Sequence, residues 1–168
     1  CFREKPDDCC VAIMQGLEVG LSPIAALNSI AVINGRPSIW GDGALALVRA
    51  SGLVEYIKET DESETARCEI KRRGESEPIA RTFSQADAKK AGLANKKGPW
   101  QDYPQRMRQM RARSWALRDG FADVLKGLHI AEEVQDIPAM RDITPRKAIA
   151  ELQDIPPEEP TKPETHAA

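Results

Sequence analysis

Between Arg106 and Arg118, inside the stretch WQDYPQRMRQMRARSWALRDGFADVL, five arginines fall within thirteen residues with no carboxylate among them. A guanidinium stays charged at any accessible pH, forks onto two phosphate oxygens and stacks on flat rings. Such a density of arginine is the chemistry of polyanion binding. Lys96 and Lys97 stand just upstream, and from Lys89 to Arg118 nine basic residues accompany a single acid, Asp102. From Asp119 to Ala168 the balance reverses, with eleven acids against five bases. The formal charge of the whole chain is −2, but a polyanion responds to the local field rather than to the total.

Other chemistries find less support. A nuclease would need carboxylates or histidines converging on a divalent cation. Its candidates Asp42, Glu55, Asp61 and Glu69 form no constellation by spacing, and His129 and His166 are isolated. No catalytic residue and no metal ligand is assigned. The cysteines Cys1, Cys9, Cys10 and Cys68 form no C-x-x-C pair and are expected as reduced, half-buried thiols. There is no G-x-x-x-x-G-K-[ST] phosphate loop to suggest an ATP-driven motor. A helix-turn-helix regulator built on the first two helices is a further alternative. Its recognition helix SPIAALNSI has no basic residue and only Ser22, Asn28 and Ser29 to offer base edges.

The elements that must position the arginines are legible by spacing. Asp7 to Gly20 reads as a helix capped by Asp7 or Asp8, with Val11, Met14, Leu17 and then Leu21 on its apolar face. Ser22 and Pro23 restart a short helix. Asn34-Gly35 marks a hairpin tip carrying Arg36, with Pro37 suited to an edge. Asp42 opens a helix that Gly52 stops. Three extended segments follow, and in the middle one Ala66, Cys68 and Ile70 alternate with Arg67, Glu69 and Lys71 as in a half-buried strand. Ser84 caps a short helix, ANKKG is a basic loop, and a long helix runs from Pro99 or Pro104 to about Gly127.

On that long helix Tyr103, Met107, Met110, Leu117, Phe121, Val124 and Leu125 share one core-facing stripe. Arg106 and Arg113 lie along one edge of it, Arg111 and Arg118 along the other. Arg108 projects from the opposite face, between Arg111 and the aromatic Trp115. In the competing reading these arginines cover the core edges and pair with Asp119, Asp123 or the tail.

The expected fold is α+β: a small antiparallel sheet and a β-hairpin packed with helices, including one long C-terminal helix. Residues 1–137 form the core and 138–168 an acidic, proline-rich flexible tail with one short helix over Pro145–Leu152. The chain opens on Cys1 rather than methionine, so an incomplete N-terminus is expected. No apolar run reaches the ~20 residues of a membrane span and no signal-peptide pattern opens the chain, so a cytoplasmic protein is expected.

The stretch GPWQDYPQRMRQMRARSWALRDGFADVLKGL resembles the signature of the RecT family of phage single-strand annealing recombinases: a Trp, then Tyr-Pro-x-Arg-Met, Arg-Ala-Arg and Ala-Leu-Arg-Asp-x-Phe. GLEVGLSPIAALNSIAVINGRPSIWGDGALALV is similar to the family's N-terminal helix, restart, hairpin and second helix, and DAKKAGL precedes the Gly-Pro-Trp. The resemblance runs in order from about Asp7 to Asp136. It implies an ATP-independent protein that coats single-stranded DNA, anneals it to a complementary strand, and assembles as a ring or helical filament. No cofactor is required, and magnesium enters only as a counter-ion of DNA. The family's DNA-contacting positions carry over onto Arg106, Arg111 and Arg118, with Arg113 following. Gln105 stands where a distant relative has a basic residue, and Arg108 where the pattern usually has leucine. Lys96, Lys97 and Trp115 extend the expected DNA surface. The hairpin with Arg36 and Trp40 is a candidate for DNA contact or for reaching a neighbouring subunit, with a core role for Trp40 as the third reading. A phage exonuclease and the host's single-strand-binding protein are the partners considered for the acidic tail.

Overall fold

Proline and serine place the first two helices. The computed structural model describes Phe2 and residues 4–137; the tail expected over 138–168, with its short helix, lies outside the described residues. Helix α1 (Pro6–Glu18) starts with proline in its first turn behind Lys5, and Asp7 and Asp8 sit in that turn rather than capping it. There they oppose the positive end of the helix dipole. Helix α2 (Pro23–Ser29) begins as expected, the Ser22 hydroxyl accepting the Ala25 N–H at 3.4 Å.

The two helices meet at 111° through small residues. Ala12, Gly16 and Ala26 are buried, and a Cβ added at Gly16 would stand 2.2 Å from that of Ala26. This contact corrects the expected core face of α1. Val11, Met14 and Leu17 are 40%, 67% and 56% exposed, and Ile24 of α2 is 69% exposed beside them in sequence. Close helix approach selects residues without bulk, so the large apolar side chains are left outside. No single helix among the described residues is long and apolar enough to cross a membrane.

Asn34 and Gly35 take φ of 52° and 73°, the two positive angles of a tight hairpin turn. They fold β1 (Ile30–Ile33) antiparallel onto β2 (Arg36–Ile39). Helix α3 (Gly41–Ala50) follows at once and ends at Gly52, φ 72°. Asp42 lies in its first turn and does not cap it.

A second sheet is the meander β3 (Val54–Glu62), β4 (Thr65–Arg72), β5 (Ile79–Ser84), antiparallel throughout with β4 in the centre. Ala66, Cys68 and Ile70 are buried on one face of β4, as their alternation predicts. Burial pushes the Cys68 thiol up to about 12. Helix α4 (Gln85–Lys90) carries a full capping box, Ser84 accepting from Asp87 N–H at 3.1 Å while the Asp87 carboxylate accepts from Ser84 N–H at 2.9 Å.

The expected long helix is in three pieces: α5 (Pro99–Asp102), α6 (Pro104–Gly120) and α7 (Ala122–Leu125). Pro104 interrupts the first junction, with Tyr103 at φ −137°, and Phe121 breaks the second at φ −139°. A two-residue strand β6 (His129–Ile130) then pairs parallel with β2 at Ser38 and Ile39, and α8 (Ala131–Val134) closes the described chain. Strand β2 is thus central rather than an edge. Pro37 is tolerated because β6 does not reach it, so its missing N–H breaks no ladder on that side.

The fold is α+β, with two three-stranded sheets and eight helices among the described residues. Helix α6 packs against β4 and β5 on one side and meets α3 and α8 on others. Leu117, Phe121, Leu125, Ile70 and Ile130 are fully buried around it. At about 1.5–3 kcal/mol for each large apolar side chain removed from water, these five are a substantial part of the core's favourable contribution to folding.

Candidate nucleic-acid interface

Because helix α6 is covered on more than one face, its arginines do not project evenly into solvent. Arg113 has only 5% of its side chain exposed. Its Nε and Nη2 donate to the two Glu59 carboxylate oxygens at 2.7 Å each, and its Nη1 donates to Asp42 at 2.6 Å. Burial opposes its charge, but the bonds to Glu59 and Asp42 outweigh that penalty and its pKa is raised. Asp42 also accepts from Arg106 at 2.8 and 2.9 Å. The two arginines hold the Asp42 carboxyl below its ordinary range against the opposing effect of its own burial.

Arg108 was expected on the open face beside Trp115. It is instead buried, its side chain 8% exposed, with Nη2 at 3.2 Å from both Asp61 oxygens and Nη1 donating to Gln85 at 3.0 Å. The sheet edge at β3 covers the face that periodicity assigned to solvent. Its Nε is buried without a partner.

Arg111 ends in a second polar node. Its Nη2 donates to Asp136, and its guanidinium lies 5.8 Å from the Phe83 ring centre and 5.9 Å from that of Trp100. The same Asp136 carboxylate accepts from Lys96 Nζ at 2.7 Å and Trp100 Nε1 at 3.0 Å. One turn earlier, Glu133 pairs with Arg118 at 3.1 Å and accepts from the Ser114 hydroxyl. Glu132 accepts the Gly41 N–H on both oxygens at 3.0 Å, so a carboxylate distant in sequence supplies the cap that α3 lacks locally. The short acidic segment 132–136 therefore fastens α6, α3 and the basic loop together.

The α6 arginines are paired, as the competing reading expected, but not with Asp119 or Asp123, and the tail it also named lies outside the described residues. Asp119 and Asp123 pair with Arg81 and Arg72, while the α6 arginines are met by Asp42, Glu59, Asp61, Glu133 and Asp136. Arg106 and Arg118 remain 45% and 42% exposed, enough for a phosphate to exchange with their carboxylates. Arg108, Arg111 and Arg113 are largely enclosed. Arg36 is exposed at the start of β2, and Trp40 is half-buried ahead of α3.

Open cations lie one element away, and Arg49 and Lys58 are likewise exposed elsewhere on the surface. Lys89 and Lys90 on α4 and Lys97 in the following loop are exposed and make no hydrogen bond or ion pair among the described residues. Beside Lys90 an open depression of roughly 560 Å³ lies between β5, α4 and α6. Phe83, Leu93 and Trp115 form its apolar lining and Thr82, Asp87, Lys90 and Arg111 its polar edge. Phe83 and Trp115 meet edge to face at 5.4 Å and 80°. Sequence reasoning counted Lys89 and Lys90 in the basic run without placing them at a site, and it missed Phe83. The signal was present in the Ser84–Asp87 capping box, which fixes α4 with both lysines in its last turn.

The carboxylates considered for a nuclease do not converge: Asp42, Glu55, Asp61 and Glu69 pair respectively with Arg106 and Arg113, Lys71, Arg108, and Arg67. Among the described residues no group of three or more His, Cys, Asp or Glu could hold a metal ion. A scan against protein-family models and a search among curated proteins found no match to the chain.

Proposed function

We propose that this protein binds single-stranded DNA and anneals complementary strands without ATP, as the RecT-like motifs imply, in phage-type homologous recombination. The observation that carries the proposal is the exposed set Lys89, Lys90 and Lys97, without ion-pair partners among the described residues, beside an aromatic depression. Annealing brings two mutually repelling backbones together while their bases stay free to test pairing. Cations that neutralise phosphate without reading sequence meet the first need, and aromatic surface that tolerates any base meets the second.

In this reading the α6 arginines divide by exposure. Arg106 and Arg118 take phosphates in exchange for Asp42 and Glu133, while Arg108, Arg111 and Arg113 are positioning residues that hold α6 against the sheet. No bond is made or broken, so the protein acts as a binding and remodelling module. Assembly into a ring or filament is part of the proposal, supported by the exposed apolar residues Val11, Met14, Leu17 and Ile24. A sequence-specific regulator is less favoured, because α2 carries no basic side chain.

The test is equilibrium binding of a labelled single strand of mixed sequence over a series of salt concentrations. The proposal expects tight binding that weakens steeply with salt, and a slope reduced by about one unit for each lysine among Lys89, Lys90 and Lys97 changed to alanine. Preference for one duplex sequence, or cleavage of DNA on adding magnesium, would overturn it.

A further inference from the structure

We propose that the depression between β5, α4 and α6 receives one unstacked nucleobase of a single-stranded nucleic acid, with the adjoining phosphate on Lys90. This inference rests on the single-strand reading above and makes it more specific. Three features of the depression carry it.

The first is shape and size. At roughly 560 Å³ and open to solvent, it accommodates a flat heterocycle together with part of its sugar. A base still paired within a duplex stack cannot enter, because it must first swing out of the stack. The depression therefore selects for single strands without reading sequence.

The second is the lining. Phe83 is 3% exposed, fixed edge-to-face against Trp115 on one side and near the Arg111 guanidinium on another. Arg111 is itself fixed by Asp136. The aromatic wall is thus rigid before any ligand arrives, so little side-chain freedom remains to be lost on binding. Trp115 is only half-buried, and it is the part of that wall with surface left to cover.

The third is charge. Lys90 lines the depression and makes no hydrogen bond or ion pair among the described residues, with Lys89 adjacent in the same helical turn. The one carboxylate in the lining, Asp87, is bonded to the Ser84 N–H and hydroxyl and is held below its ordinary range by those bonds and by the nearby Lys90 charge. It is committed to capping α4. Lys89 and Lys90 against the single Asp87 leave the rim with a net positive charge, which suits a phosphate.

The experiment compares binding of two oligonucleotides of equal length to the full chain, one with bases and one an abasic phosphodeoxyribose strand, by fluorescence anisotropy. The normal strand should bind roughly 5- to 150-fold more tightly than the abasic one, the range expected for one stacked base. Trp115→Ala should remove that advantage and leave abasic binding unchanged, while Trp115→Phe retains most of it. Lys90→Glu, at an exposed position that does not threaten the fold, should weaken both strands by a similar factor. Equal affinity of the unaltered protein for the two strands, or an equal loss for both in Trp115→Ala with Trp115→Phe no better, would overturn the base pocket while leaving single-strand binding standing. Failure of the unaltered protein to bind either strand would overturn both.

Discussion

Arg113 and Glu59 form a two-pronged ion pair, Nε and Nη2 each 2.7 Å from a carboxylate oxygen, with side chains 5% and 19% exposed. It joins the middle of α6 to β3 across 54 positions of sequence. Two charges withdrawn from water in this way add little net stability together, but either one alone is costly. Glu59→Ala is expected to lower the free energy of unfolding by up to about 3–5 kcal/mol, a loss limited by Asp42, which still accepts from Arg113 Nη1. Urea denaturation measures it, and a loss below the ~1 kcal/mol typical of surface pairs would show that Arg113 stays solvated.

Acid should weaken the fold through a related contact. Arg72 donates to both Asp123 oxygens at 2.7 Å, and those bonds pull the Asp123 carboxyl down to about 2 from its ordinary 3.8. With its folded pKa depressed, this group contributes stability that is present above the unfolded value and lost as pH falls from about 4 towards 2. Asp42 shifts in the same direction. Unfolding midpoints taken across that window should fall with pH, and Asp123→Asn should make the fall shallower. An unchanged acid limb in the variant would remove Asp123 from the account.

What the sequence disclosed, and what it did not, divides by distance along the chain. The Ser22 and Ser84 caps, the Asn34-Gly35 turn and the Ala66–Cys68–Ile70 alternation depend on neighbours within a few residues, and each stands where it was expected. The partners of the α6 arginines were not legible, because Asp42 reaches them from α3 and Glu59 and Asp61 from β3, and only the folded chain brings these elements to α6. Helix α1 shows a different limit. Periodicity placed the apolar face on Val11, Met14 and Leu17, yet the buried side is the Ala12–Gly16 side, since close helix packing is made by residues without bulk. Arg108 combines both limits, buried on a face that looked open.

The stripe left outside bears on assembly. Val11, Met14, Leu17 and Ile24 are all at least 40% exposed, and Met14→Lys with Leu17→Lys should leave the monomer folded because neither side chain is enclosed. Sedimentation is expected to show the unaltered protein as a large assembly and the double variant as smaller species. Identical masses, with unaltered circular dichroism, would place subunit contacts elsewhere.

The central proposal is strand annealing through the open lysine edge, and its most direct measurement is the rate at which two complementary oligonucleotides pair, without nucleotide, in the presence of the full chain. The unaltered protein should accelerate pairing above the spontaneous rate, and Lys89→Glu, Lys90→Glu and Lys97→Glu combined should abolish the acceleration while the fold persists. No acceleration by the unaltered protein, or full acceleration by the triple variant, would contradict the account.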